Sequence, residues 1–257
     1  ENLFAPAFCV RGKALYRNAE KLFRLMREMV TEFSFSDRAR LKEVIHKHLS
    51  GLESNFNQNA IRYATSLSAS SQSVPGFIAE AWYGVHYLEA LRRIEKQLDQ
   101  DNLPEQLQKL AQKIFSRKAP HLVLSLDEEM YQQLKKEHFY GLDALTTHGQ
   151  SLWKSDFPLP IIADQARNIS SPVAFISRVF KTVPYIHPDA PALRACSHIM
   201  ENVILHKLIR EQGGAYGGGA VSNGLSGNFY FYSYRDPKIA DSLKAFETAI
   251  EMIVSGQ

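Results

Sequence analysis

Arg210 and Tyr216 stand six residues apart in REQGGAYGGGA (Arg210–Ala220), and five of the chain's 14 glycines fall in these eleven positions. A guanidinium and a phenol are both hydrogen-bond donors. Held together, they can grip a peptide carbonyl and stabilise the oxyanion that forms when water attacks it. Glycine lacks Cβ and suits places where backbone turns sharply or another group comes close. The spacing therefore predicts a bent loop that presents two donors and that something approaches. A purely structural account competes with this one. Basic residues favour the last turn of a helix, and Gly213 would supply a left-handed cap. That account covers Arg210 and Gly213 but not Gly217, Gly218 and Gly219. Residue chemistry alone leaves both open.

Other chemistries find less support. His46 and His48 lie two apart on an expected helix, so they point to different faces and cannot share a metal. HIMEN (198–202) falls one residue short of the inverted zinc motif H-x-x-E-H, with Asn202 in place of the second histidine. A catalytic zinc wants three protein ligands, and His198 supplies one. GGAYGGG is neither a dinucleotide fingerprint nor a Walker A loop, and it follows a helix rather than a strand. No G-x-S-x-G elbow is present. Cys9 and Cys196 make neither a disulfide framework nor a zinc knuckle, and both read as small buried hydrophobes.

The elements that must carry the Arg–Tyr pair come from periodicity. Apolar stripes predict helices over Asn18–Phe33, Asp37–Ser68, Phe77–Leu98, Glu128–Leu142, Ala192–Gln212 and Asp236–Ile253. Pro104 fits the first turn of a further helix. Phe8–Leu15, His121–Leu126, Ser171–Val183 and the aromatic NFYFYSYR (Asn228–Arg235) read as strands. Helices and strands mix without strict alternation, which favours an α+β fold with an antiparallel or mixed sheet covered by helices. Residues 146–170 are rich in turn formers and read as a connection between domains. Thirty basic against 27 acidic residues, interleaved along the helices, argue against nucleic acid and against an anionic membrane surface. No apolar run reaches the roughly 20 residues of a membrane helix. The chain begins with Glu1 and stops at Gln257 within an expected helix, so both ends read as cut.

LIREQGGAYGGGA together with GNFYFYSYRDP resembles the C-terminal half of presequence proteases, a branch of the pitrilysin and insulin-degrading zinc peptidases. GKALYRNAEKLF and the helices after it are similar more loosely. The resemblance is strongest from about Ala192 to Phe246. It implies two pitrilysin-type metallohydrolase domains, both truncated. Residues 1–145 would be the remainder of a third domain and 146–170 the connection. Residues 171–257 would be a fourth domain, incomplete at its C-terminus, carrying the Arg–Tyr loop. It implies a zinc endopeptidase for short unfolded peptides of the targeting type. The zinc would be held by an N-terminal half of the same polypeptide and not by this chain. By position, Arg210 and Tyr216 would hold the scissile carbonyl. Gly213, Gly214, Ala215 and Gly217 would lie along the substrate backbone. The expected partners are unfolded peptides and the N-terminal half, with neither nucleic acid nor membrane. The compartment would be the cytoplasm in a bacterium and the mitochondrial matrix or plastid in a eukaryote. The chain alone is expected to be inactive. The competing function is a non-catalytic structural or peptide-binding subunit of the same fold.

Overall fold

The computed structural model describes residues 7–98, 102–115, 121–145, 159 and 163–256. The expected connection, residues 146–170, lies largely outside the described residues. Contacts divide the chain into two units. One combines His46–Ile94 with Asp156–Gln257, and the other combines Leu3–Ile45 with Glu95–Ser155.

The second unit is helical. Helix α1 (Ala19–Thr31) buries Phe23 against Met130 and Leu134. Those two residues belong to α7 (Glu128–Lys136). Asp127 caps α7 by accepting the Met130 N–H at 2.8 Å, with acids in its first turn and lysines in its last. The expected helix to Leu142 stops at Lys136, because His138, Phe139 and Tyr140 turn left-handed with φ of 49°, 47° and 51°. The turn lays Phe139 and Tyr140 onto Phe23, at ring separations of 6.5 and 6.3 Å. Two expected strands, Phe8–Leu15 and His121–Leu126, do not form among the described residues. Short apolar runs do not become strands without a partner to pair with. Cys9 is exposed rather than buried. Helix α6 (Leu103–Phe115) carries Pro104 in its first turn as expected.

In the first unit, the expected long helix from Asp37 breaks at Asn59 into α2 (Arg38–Gln58) and α3 (Ala60–Ala69). The next expected helix also breaks, at Gly84, into α4 (Val74–Tyr83) and α5 (Val85–Gln97). The cause is Glu80, whose side chain is completely buried. One carboxylate oxygen accepts the N–H groups of Val85 and His86, at 2.5 and 3.3 Å. The other accepts the Ser66 hydroxyl at 2.6 Å. A buried anion thus satisfies orphan donors at the start of α5. A Cβ at Gly84 would fall 2.0 Å from that carboxylate, so only glycine fits there.

The same unit holds a three-stranded antiparallel sheet of order β1-β3-β2, which meets the α+β expectation. Its strands are β1 (Ala174–Lys181), β2 (Gly217–Asn223) and β3 (Asn228–Asp236). Alternation along β3 sends Phe229, Phe231 and Ser233 to one face and Tyr230, Tyr232 and Tyr234 to the other. The phenylalanine face packs on α9 (Ile239–Ser255), where Phe231 stacks on Phe246 at 5.3 Å. Burying two such rings contributes roughly 1.5–3 kcal/mol each. Asp236, also buried, starts α9: it accepts from Ser233 Oγ at 2.5 Å and from Lys238 N at 2.7 Å. The helix closes on Gly256, left-handed at φ 73°.

Helix α8 (Ala190–Ile199) runs without a break into a π-helical stretch, Met200–Gln212. Its buried residues are Met200, Ile204, Leu205 and Ile209. They recur every four to five positions, wider than the 3.6 of an α-helix and suited to i→i+5 winding. This stretch and α9 seal the phenylalanine face.

Candidate active site

The π-helical stretch ends one residue later than the sequence suggested. Gly213 is right-handed (φ −79°) and Gly214 is the left-handed residue (φ 82°). Gly214 N–H bonds Arg210 O and Ala215 N–H bonds Ile209 O, each at 3.1 Å, which closes the helix end. Ala215 then drops its methyl into the core. The next residue joins the sheet: Tyr216 N–H donates to Tyr234 O at 3.1 Å and to Arg235 O at 3.4 Å.

This places Tyr216 with a fixed backbone and a side chain that is 64% exposed. Its ring meets Tyr234 edge-on at 5.8 Å. The Arg210 guanidinium carbon lies 5.6 Å from the ring centroid, so the two expected donors are brought together as a cation over a π-face. Arg235 adds a second guanidinium at 5.9 Å. Neither arginine makes an ion pair among the described residues. Positive charge at this end of the sheet is therefore free to meet a polarised or anionic oxygen.

The glycines after Tyr216 form a strand and not a loop. Glycine has poor intrinsic preference for strands, yet β3 templates β2 from Gly217 onward. Gly218 is required inside, since a Cβ there would lie 2.7 Å from an Ile209 methyl and 3.1 Å from Tyr232 O. Gly219 is required too: its missing side chain leaves room for the Glu201 carboxylate, 2.9 Å from where a Cβ would stand. Gly213 is closed in the same way by Ile209 O at 2.5 Å. Gly217 differs, because nothing lies within 4 Å of the position of its missing Cβ. Internal packing thus explains three of the glycines and leaves Gly217 facing open space.

Glu201 reaches past Gly219 to accept from the Tyr232 hydroxyl at 3.4 Å. Burial first, and then the Glu201 charge, push the Tyr232 phenol above the usual tyrosine range; the same two causes act on Tyr230. Glu201 is thereby engaged within the fold. His198 is exposed, and the Asn202 amide donates to the His198 carbonyl at 2.8 Å. Among the described residues no three His, Cys, Asp or Glu side chains gather as a metal would need. The donor set here does not fit a zinc site.

Family models match most of the chain in two blocks. The associated domain of M16 peptidases, subfamily C, covers residues 1–94, and the "PreP C-terminal domain" covers residues 169–255. The chain matches the C-terminal part of presequence protease-like M16 peptidases. It is 26% identical over 254 residues to a mitochondrial presequence protease of Drosophila melanogaster, covering 99% of this chain and 24% of the relative. A mitochondrial presequence protease of Saccharomyces cerevisiae is 28% identical over 258 residues, covering 95% of this chain and 26% of the relative. A chloroplastic and mitochondrial presequence protease of Arabidopsis thaliana is 26% identical over 246 residues, covering 93% of this chain and 22% of the relative. The chain therefore spans about a quarter of the presequence proteases it matches. The stretch singled out from sequence, Ala192–Phe246, falls within the C-terminal-domain match, and GKALYRNAEKLF within the other.

Sequence reasoning missed Arg235 as a neighbour of Tyr216 and Glu201 as a partner of Tyr232. YRDP was in view as a mark of the presequence proteases. What it hid was a backbone event, a residue left out of strand pairing, which leaves no trace in residue types.

Proposed function

We propose that this chain is the C-terminal, non-zinc-binding part of a zinc metalloendopeptidase that degrades short unfolded peptides, with Arg210 and Tyr216 holding the scissile carbonyl. The observation that carries the reading is an exposed phenol on a fixed backbone, flanked by guanidinium groups with no carboxylate partner among the described residues. Donors held in place before the reaction stabilise developing negative charge without reorganising. Gly217, with open space beside it, is where a substrate backbone would lie; Gly214 is exposed and adjacent. Contact at Gly213 or Ala215 would run through their backbone. The zinc is assigned to the part of the presequence proteases that this chain does not span, and the chain by itself is expected to be inactive.

On this reading, residues 1–145 and 171–257 belong to two pitrilysin-type domains joined by 146–170, and the chain works against an N-terminal half of the same polypeptide. The mitochondrial and chloroplastic names of its relatives favour the matrix or plastid for a eukaryotic source, with the cytoplasm for a bacterial one. The competing role, a subunit that binds peptide without cutting it, draws on β2 being an edge strand of the described sheet.

The deciding experiment is turnover of a quenched fluorescent peptide by the full-length enzyme. Arg210→Ala or Tyr216→Phe should raise the barrier by about 2–4 kcal/mol, the range for losing one oxyanion donor. Full turnover in either variant would sink the assignment. Full-length wild-type protein that binds the peptide and never cuts it would favour the subunit.

A further inference from the structure

We propose that Arg235 is a positioning residue for Tyr216, its guanidinium aimed at the Tyr216 ring by a β-bulge at the end of β3. The inference rests on the assignment of Tyr216 to the scissile carbonyl.

Strand pairing shows the bulge directly. Phe175 pairs with Tyr234 and Ala174 with Asp236, so Arg235 is the extra residue on β3. Its φ is 53°, in the left-handed region that glycine enters freely and a residue with a Cβ enters under strain. Bulges re-aim side chains and gather beside active sites. Strain of this kind persists where surrounding structure holds it and points to a function. If the backbone alone mattered, glycine would serve better. The arginine implies that the side chain is needed as well.

Two contacts show what the side chain and the bend do. The left-handed turn brings two successive carbonyls, of Tyr234 and Arg235, onto the single N–H of Tyr216, at 3.1 and 3.4 Å. The guanidinium carbon stands 5.9 Å from the Tyr216 centroid and 5.4 Å from that of Tyr234. No carboxylate among the described residues ion-pairs with Arg235, so its charge is directed at these rings and not drawn off elsewhere. Arg210 approaches the same Tyr216 ring from the helix side of the chain. A tyrosine as exposed as this one would otherwise explore several rotamers. Two cations and the edge of Tyr234 restrict it, and so fix where its hydroxyl points.

The test is Arg235→Gly in the full-length enzyme, beside Arg235→Lys, Tyr216→Phe and the double variant. Glycine keeps the left-handed backbone and deletes the guanidinium, so the melting temperature should hold or rise. Meanwhile kcat should fall on the order of tenfold with KM within about twofold, as for a misplaced catalytic group. Arg235→Lys, retaining a cation, should recover part of kcat. In the Tyr216→Phe background, Arg235→Gly should cost nothing further, because both act through one hydroxyl. A normal kcat in Arg235→Gly would overturn the inference. So would an equal loss in both backgrounds, or a kcat loss accompanied by a lower melting temperature. A silent Tyr216→Phe is a different failure: it removes the functional assignment beneath the inference.

Discussion

The joint at Glu80 and the open end of β2 both place a glycine beside charged side chains, and they treat the charge in opposite ways. At the joint, the Glu80 carboxylate is sealed from water, and each of its oxygens has a donor. Gly84 is required because that carboxylate fills the space a side chain would take. At the end of β2, Arg210 and Arg235 have no carboxylate among the described residues, Tyr216 lies open, and Gly217 borders empty space. A buried charge must be answered within the fold or it unfolds the protein. An exposed charge need not be answered at all, so one left unpaired next to a free phenol is available to a ligand. The contrast separates glycines that serve architecture from the one that does not.

The contrast can be broken at the joint first. Gly84→Ala must push a buried carboxylate off its donors and should destabilise by about 3–5 kcal/mol, as expected for a buried charge deprived of partners. Urea unfolding would show this as a lower midpoint, and an unchanged midpoint would mean that the joint is not closed as described. Within β2 itself the expected effects diverge. Gly218→Ala meets Ile209 and should cost about 1–3 kcal/mol by overpacking, whereas Gly217→Ala should be neutral or stabilising by up to about 1 kcal/mol. The same Gly217→Ala protein should nonetheless cut peptide more slowly in the full-length enzyme, since the methyl occupies the space given to substrate. Loss of stability at Gly217 equal to that at Gly218 would erase the distinction. The smallest expected effect lies at Tyr230 and Tyr232. Their folded pKa values are raised above 10.0, so the stability they contribute is complete below that pH and is lost as pH climbs through the raised values. Phenolate absorbance should show two tyrosines titrating late, and Tyr232→Phe should remove one of them.

Much of this frame was legible in the residues. NFYFYSYR declared a strand because aromatic rings alternate with a polar face, and Ala192–Gln212 declared a helix through its apolar stripe. Arg210 and Tyr216 were found by type and spacing alone. What stayed hidden shares one cause: geometry imposed by a distant partner. Gly217–Gly219 carry no strand signal and pair only because β3 is alongside. Helix α5 begins anew at Val85 because a carboxylate four residues upstream of Gly84 folds back onto its first N–H groups, and Gly84 inside an apolar run looks like a weak helix residue. Arg235 left no sign because a bulge is a mismatch between two strands, and a single strand does not record it. The His121–Leu126 run failed in the other direction, with the right residues and no neighbour to pair with.

The wide winding between Met200 and Gln212 has a consequence for how this chain can vary. Substitution along that stretch changes one side chain and leaves its neighbours in place. Removing a single residue would let the stretch tighten toward ordinary helix and swing everything after it by about 100°, one residue's share of an α-helical turn. Arg210 would leave Tyr216 while every atom of both survived. The spelling of this segment is thus more negotiable than its length, and a lineage that lost one letter here would keep its fold and mislay its grip.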